Sequence, residues 1–279
     1  MNISKSSPIG VFDSGIGGLS VLKQFIRFLP GESYIYLGDT ARVPYGNKSQ
    51  KIVAAYAKES TEFLISKGVK IIITACNTVS AVALNSVRDA AGGIPVIGMI
   101  EPAAAAALRA TRNGRIGIIG TRATIGSNSY LNEINKISGS AEIDVISKAC
   151  PMFVPIVEEG LLRHPASKLI AEDYLGELKN AGVDTLVLGC THYPLLSHLI
   201  SDFMPAGIVL IDSGEHASVS ALRLLAESNL LIEPTHDFVN KPDIKFYVTD
   251  LPANFFELAK NFLGFDIDMP EVINLGQTI

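Results

Sequence analysis

Ile71-Ile72-Ile73-Thr74-Ala75-Cys76-Asn77-Thr78 is the stretch that decides the fold of this 279-residue chain. It opens on a β-branched apolar run, the pattern of a strand buried on both faces of a parallel sheet. The run stops at Thr74 and delivers a cysteine followed by two polar residues. Val79 to Leu84 then reads as the opening of a helix, with Asn77 or Thr78 as its cap. Cys76 is therefore expected at the carboxyl end of a strand and the start of a helix, the edge at which open α/β sheets bind ligands. A helix start carries partial positive charge, so the spacing predicts a thiol of lowered pKa. A lone cysteine is as often a small buried hydrophobe, and this stretch alone leaves both readings open.

Upstream, Ile9-Gly10-Val11-Phe12 is a short strand that ends in Asp13-Ser14-Gly15-Ile16-Gly17-Gly18, and a helix follows from Leu19. The glycines permit close approach of backbone to a ligand. Their spacing is neither the dinucleotide fingerprint nor a Walker loop, and Asp13 at the mouth would repel a phosphate. Asp13 and Ser14 suit a small polar ligand bearing an ammonium group. Ser33 to Leu37 is the next strand. It runs into the long loop Gly38–Asn47, and long βα loops tend to carry function. There Tyr45, Gly46 and Asn47 can offer backbone donors to a carboxylate. Asp39 and Arg42 read equally as a solvated ion pair. Beyond the opening stretch a helix runs to about Ala91, Ile94–Met99 is a fourth strand, and an Ala-rich helix begins at Glu101-Pro102.

At Arg115 the pattern restarts. Ile116-Gly117-Ile118-Ile119-Gly120 is a strand, and Thr121 leads into a helix. Ile143–Ile146 is a strand followed by the Pro-punctuated loop Cys150–Pro155 and by Glu158-Glu159-Gly160. Cys150 has no polar partner in register and reads as structural, and the glutamate doublet reads equally as exposed charge. Then Asp184-Thr185-Leu186-Val187-Leu188-Gly189-Cys190-Thr191-His192-Tyr193-Pro194 repeats the opening stretch: an apolar strand, a small residue, a cysteine, two polar residues and a new helix. The interval from Cys76 to Cys190 nearly matches that from Asp13 to Thr121. The chain thus reads as two similar α/β domains with mostly parallel sheets, related by pseudo-two-fold symmetry, with a cleft between them flanked by Cys76 and Cys190. After the repeat, Gly207–Gly214 is a strand and polar turn, Lys245–Val248 an edge strand, and Asn254–Phe262 an amphipathic helix packing back on the first half.

Composition narrows the function classes. At 48% hydrophobic and 18% charged the chain can bury a large core, and its net charge of −5 disfavours a nucleic-acid partner. No apolar run is long enough to span a bilayer, and the polar N-terminus is not a signal peptide. Cys76, Cys150 and Cys190 form no C-x-x-C pair, which points to reduced thiols in the cytoplasm.

Two thiols on opposite sides of a small cleft suit inversion at a carbon acid. One base removes a proton from one face, and a second acid returns a proton to the other. A free thiol is mostly protonated at neutral pH, so each needs help. His192 can serve Cys190, and Asp13 can play the matching part beside Cys76. His192 also fits a helix-start residue bound to a backbone carbonyl. A metal reading with Cys76, Cys190 and His192 wants a clearer carboxylate or a second histidine. His164, His198, His216 and His236 read as surface residues.

With these residues assembled, the sequence resembles the glutamate racemases of the cofactor-independent aspartate/glutamate racemase superfamily. The resemblance rests on Val11-Phe12-Asp13-Ser14-Gly15-Ile16-Gly17-Gly18-Leu19, Gly38-Asp39-Thr40 with Pro44-Tyr45-Gly46, Ala75-Cys76-Asn77-Thr78, and Leu188-Gly189-Cys190-Thr191-His192-Tyr193-Pro194. It implies two α/β domains, the second inserted in the first, which places residues 1–98 with 208–279 in one and 99–207 in the other. It implies Cys76 and Cys190 as the acid/base pair, Cys76 acting on D-glutamate and Cys190 on L-glutamate. By the same match Asp13, Ser14, Tyr45, Gly46, Asn77, Thr78, Thr121, Thr191 and His192 contact substrate or support the thiols. A family glutamate falls on Glu158 or Glu159. The resemblance further implies no cofactor or metal, a homodimer, and D-glutamate supplied to peptidoglycan synthesis in a bacterial cytoplasm.

Overall fold

A computed structural model describes residues 3–233 and 242–276. Among the described residues ten strands form two sheets, both wholly parallel. They are β1 (Ile9–Asp13), β2 (Tyr34–Gly38), β3 (Ile71–Thr74), β4 (Val96–Ile97), β5 (Arg115–Gly120), β6 (Asp144–Ala149), β7 (Thr185–Gly189), β8 (Val209–Asp212), β9 (Ile244–Val248) and β10 (Glu271–Val272). The first sheet has the order β10-β9-β2-β1-β3-β4 and the second β6-β5-β7-β8. The order β2-β1-β3-β4 therefore recurs as β6-β5-β7-β8, and the repeat expected from the twin cysteine segments is one of topology as well as of letters.

Ile71, Ile72 and Ile73 are fully buried, as are Ile9 and Val11 on the paired strand β1. Each such side chain contributes roughly 1.5–3 kcal/mol by leaving water. One apolar cluster runs from Val11 and Ile73 through Leu19, Leu22 and Ala217 to Leu186 and Leu188, so both sheets share a continuous core. The helix Ser213–Glu227 bridges that junction: it packs on Leu19–Phe28 of the first half and on Ile100–Ala110, β7 and β8 of the second.

Four expectations change. The return to the first domain at residue 208 comes one strand too early, because Val209–Asp212 pairs with Thr185–Gly189 in the second sheet. That pairing is the counterpart of β4 beside β3, and the chain crosses back only in the helix Ser213–Glu227. Lys245–Val248 is not at an edge, since β9 lies between β2 and β10. The helix after Cys76 breaks at Ala83 into Asn77–Val82 and Leu84–Ala91. Asp39 and Arg42 are not a solvated pair. Asp39 is completely buried, accepts from Arg42 Nε at 2.7 Å and from Thr249 Oγ1 at 2.9 Å, and also holds the Tyr45 hydroxyl. It fixes the long loop after β2.

Candidate active site

Four strand ends meet in one cleft. Asp13 closes β1, Cys76 follows β3, Thr121 follows β5 and Cys190 follows β7. Between them lies a cavity of about 480 Å³, lined from one side by Ser14, Cys76, Asn77 and Thr78 and from the other by Thr121, Cys190, Thr191 and His192. The carboxyl edge of a parallel sheet, where order reverses about the first strand, is where such sheets take ligands. Here two of these edges face each other.

On the first side Cys76 itself occupies the cap position of the helix Asn77–Val82, with no side-chain capping bond. Its thiol donates to Ser14 Oγ at 3.5 Å. Asp13 stands behind, 1% exposed, with Oδ2 accepting the Gly15 N–H at 2.9 Å. Its other oxygen has no hydrogen-bond partner among the described residues. Burial raises the Asp13 pKa above the usual carboxylate range, against the pull of His192. Burial, then the charge of Asp13, pushes the Cys76 thiol up to about 12. The lowered pKa expected from the helix start is therefore overturned. The helix is one and a half turns long, and the desolvation of a buried sulfur outweighs its dipole.

On the second side Cys190 Sγ lies 3.9 Å from His192 Nδ1, and His192 Nε2 lies 2.9 Å from Glu158 Oε1. Thr191 Oγ1 is 3.3 Å from the same Nδ1. Burial opposes a charge on His192, but the hydrogen bonds and charges of Cys190 and Glu158 win, and its pKa is pushed up to about 10. The upward shift favours the imidazolium, which donates at both nitrogens. His192 does stand at a helix start, at the cap of the turn Tyr193–Leu196, but among the described residues its ring nitrogens face Cys190, Thr191 and Glu158 side chains rather than a backbone carbonyl. Phe262 packs edge-on against it at 5.3 Å between centroids. Of the glutamate doublet, Glu158 ends the helix Phe153–Glu158 facing the cavity, while Glu159 caps that helix and lies outside the cavity lining.

The remaining expected residues fall around these two centres. Thr78 and Thr121 hydroxyls meet at 3.0 Å across the cleft, and Thr121 caps the helix Arg122–Gly126 by accepting the Thr124 N–H at 3.2 Å. Gly46 abuts Thr121 so closely that a Cβ would stand 2.8 Å from the threonine Cβ. Tyr45 lines the cavity, but its hydroxyl turns to Asp39. The Thr191 carbonyl is held from the other half by Ser20 Oγ at 2.6 Å.

Several residues of the site carry no local signature. The loop after β6 supplies a wall through Pro151 and Met152, continued by Val154 and Pro155 of the helix Phe153–Glu158. The repeat points to it, since it is the counterpart of the loop after β2. Cys150 stays out of the cavity lining, its thiol donating to the Lys148 carbonyl at 3.6 Å and its own carbonyl accepting from Tyr193. Tyr130 and Ser213 bond Asn77 from behind. His216 is half-buried against a separate cavity, not on the surface, and His164 caps a helix through Nδ1. His236 lies outside the described residues. Among the described residues no group of three His, Cys, Asp or Glu side chains converges in the manner of metal ligands, and no helix is long and apolar enough to cross a membrane.

Comparison with known proteins agrees with this geometry. The model of the Asp/Glu/hydantoin racemase family matches residues 9–221. The chain is 48% identical over 273 residues to the glutamate racemase of Chlorobaculum tepidum, covering 98% of each. It is 43% identical over 276 residues to that of Neisseria meningitidis serogroup A, covering 99% of each. Its fold superposes on the crystal structure of Francisella tularensis glutamate racemase in complex with D-glutamate with a TM-score of 0.88 and 39% identity, spanning 97% of this chain and 98% of that one. The paired cysteine strand ends thus sit in a chain that belongs to the Asp/Glu/hydantoin racemase family, among its glutamate racemases.

Proposed function

We propose that this protein interconverts L- and D-glutamate by a two-base reaction at the α-carbon, with Cys190 and Cys76 as the bases and no cofactor. The observation that carries the proposal is the placement of the two thiols at equivalent strand ends on opposite sides of one cavity. In the L-to-D direction Cys190 takes the α-proton as thiolate, with the His192 imidazolium beside it. Cys76 gives its thiol proton to the opposite face of the planar carbanion. The enzyme is left with the proton on Cys190 and a thiolate at Cys76, the form that accepts D-glutamate. Asp13 acts on Cys76 from behind and Glu158 on Cys190 through His192. Ser14, the Tyr45-Gly46 backbone, Asn77, Thr78, Thr121 and Thr191 hold the substrate's polar groups.

In this scheme the two parallel sheets, each with its helices, supply the two walls of the site. Product D-glutamate serves peptidoglycan synthesis in a bacterial cytoplasm, and the working form is a homodimer. The test is racemisation of glutamate, and of aspartate as a control, by wild type, Cys76→Ala and Cys190→Ala without pyridoxal phosphate and with chelator present. Both variants should lose racemisation while keeping the wild-type circular dichroism. Full activity in either would refute the proposal.

A further inference from the structure

Asn77 follows Cys76 directly and lines the cavity, yet its amide is held by two residues that do not line it. Tyr130 comes from the helix Ser129–Ser138 of the second half, and Ser213 opens the helix that crosses back after β8. All three side chains belong to residues no more than 2% exposed. The Tyr130 hydroxyl donates to Asn77 Oδ1 at 2.7 Å, and Asn77 Nδ2 donates to Ser213 Oγ at 3.2 Å.

We propose that Tyr130 is a positioning residue for the reaction: by occupying Asn77 Oδ1 with a donor, it fixes the amide so that an N–H, and not the carbonyl, is left for the substrate carboxylate. This rests on the racemase reading of the cavity. The two ends of an asparagine amide are nearly the same size, so shape does not choose between orientations and the partners must. Both hydroxyls can donate and accept, and Tyr130 and Ser213 also meet each other. A phenol is the stronger donor and the weaker acceptor of the two, so the arrangement with Oδ1 on Tyr130 and Nδ2 on Ser213 is the favoured one. Burial first, then Cys190 and Asp212, pushes the phenol pKa well above its ordinary value, so the donor is kept at every working pH. A flipped amide would set a carbonyl against an anionic substrate. The bond also spans the two halves, so the amide is set only when they are together.

The test is a double-mutant cycle on kcat/KM for glutamate with Y130F, N77A and the pair. Y130F should lower kcat/KM about tenfold, chiefly through KM, as expected for one misdirected hydrogen bond to a charged group. The double variant should match N77A alone. Effects that multiply, or an N77A variant with wild-type KM, would overturn the proposal, because Tyr130 would then not be acting through Asn77. Should Y130F not fold, the Asn77 side-chain amide signals of the 15N-labelled wild type carry the test. Saturating glutamate should move one Nδ2 proton strongly and the other little, and two unmoved signals would overturn the proposal. Failure of the racemase reading shows separately, as wild-type protein that exchanges no α-hydrogen of glutamate.

Discussion

His192 links an edge of the cleft to its centre: Nε2 stands 2.9 Å from Glu158 Oε1, and Nδ1 stands 3.9 Å from the Cys190 sulfur. The two partners hold the ring as a cation, with its pKa raised from 6.5 to about 10. A folded-state pKa above the unfolded one stabilises the native protein fully below pH 6.5, and that contribution disappears as pH rises towards 10. Thermal unfolding from pH 6.5 to 10 should show a falling midpoint. Glu158→Gln should flatten the fall and move the alkaline limb of kcat/KM to lower pH. A variant with an unchanged limb would show that Glu158 does not govern His192.

The thiols should differ in reactivity. Burial and Asp13 keep Cys76 protonated, with its pKa pushed up to about 12, whereas Cys190 has an imidazolium at hand. Since the thiolate is the nucleophile, substoichiometric iodoacetamide at pH 7.5 should label Cys190 before Cys76. Peptide mass spectrometry reads the order, and Cys76 labelled first would contradict the charge assignment. Asp13→Asn removes the nearby carboxylate and should speed labelling of Cys76 while slowing racemisation.

Gly17 is required by what faces it. A Cβ there would overlap Thr191 Oγ1 and the His192 ring. Gly17→Ala should cost roughly 1–3 kcal/mol of stability as an overpacked contact. It should cost more than tenfold in kcat/KM, because the displaced residue is the partner of Cys190. Wild-type kinetics would show that His192 has room to move without effect.

Stability is anchored at the opposite end of the first sheet. Lys70, fully buried, donates to Glu32 Oε2 at 2.5 Å and to the Lys5 and Leu230 carbonyls, while Glu32 Oε1 accepts the Ile232 N–H. Lys70→Met strands a buried carboxylate and two carbonyls and should destabilise by about 3–5 kcal/mol in urea titration. The fraction that remains folded should keep wild-type KM, since the pair is remote from the cleft. A loss under 1 kcal/mol would mean that water replaces the lysine.

The sequence carried those features that depend on neighbours along the chain. The isoleucine run before Cys76 and its copy before Cys190 gave the parallel strands, their polar ends and the repeat. Features set by tertiary contact were not legible. Glu158 and Glu159 differ only in helical phase, and phase relative to His192 appears once the helix Phe153–Glu158 is packed. The direction of the Cys76 pKa depended on burial against a helix dipole, which are local unknowns of opposite sign. Val209–Asp212 reads alike in either sheet, and only its neighbour, Thr185–Gly189, decides. Tyr130 and Ser213 look like ordinary helix residues, since their role exists only through Asn77.

The most direct test of the two-base reaction follows where hydrogen goes in the first turnovers. Wild-type protein equilibrated in heavy water should convert L-glutamate to D-glutamate that carries deuterium at the α-carbon, while the unreacted L-glutamate keeps its protium. The reverse reaction should give the mirror result, because Cys76 and Cys190 each work on one face and carry their own proton. Product that retains protium, or early deuterium in the unreacted substrate at the rate of turnover, would contradict a thiol on each face.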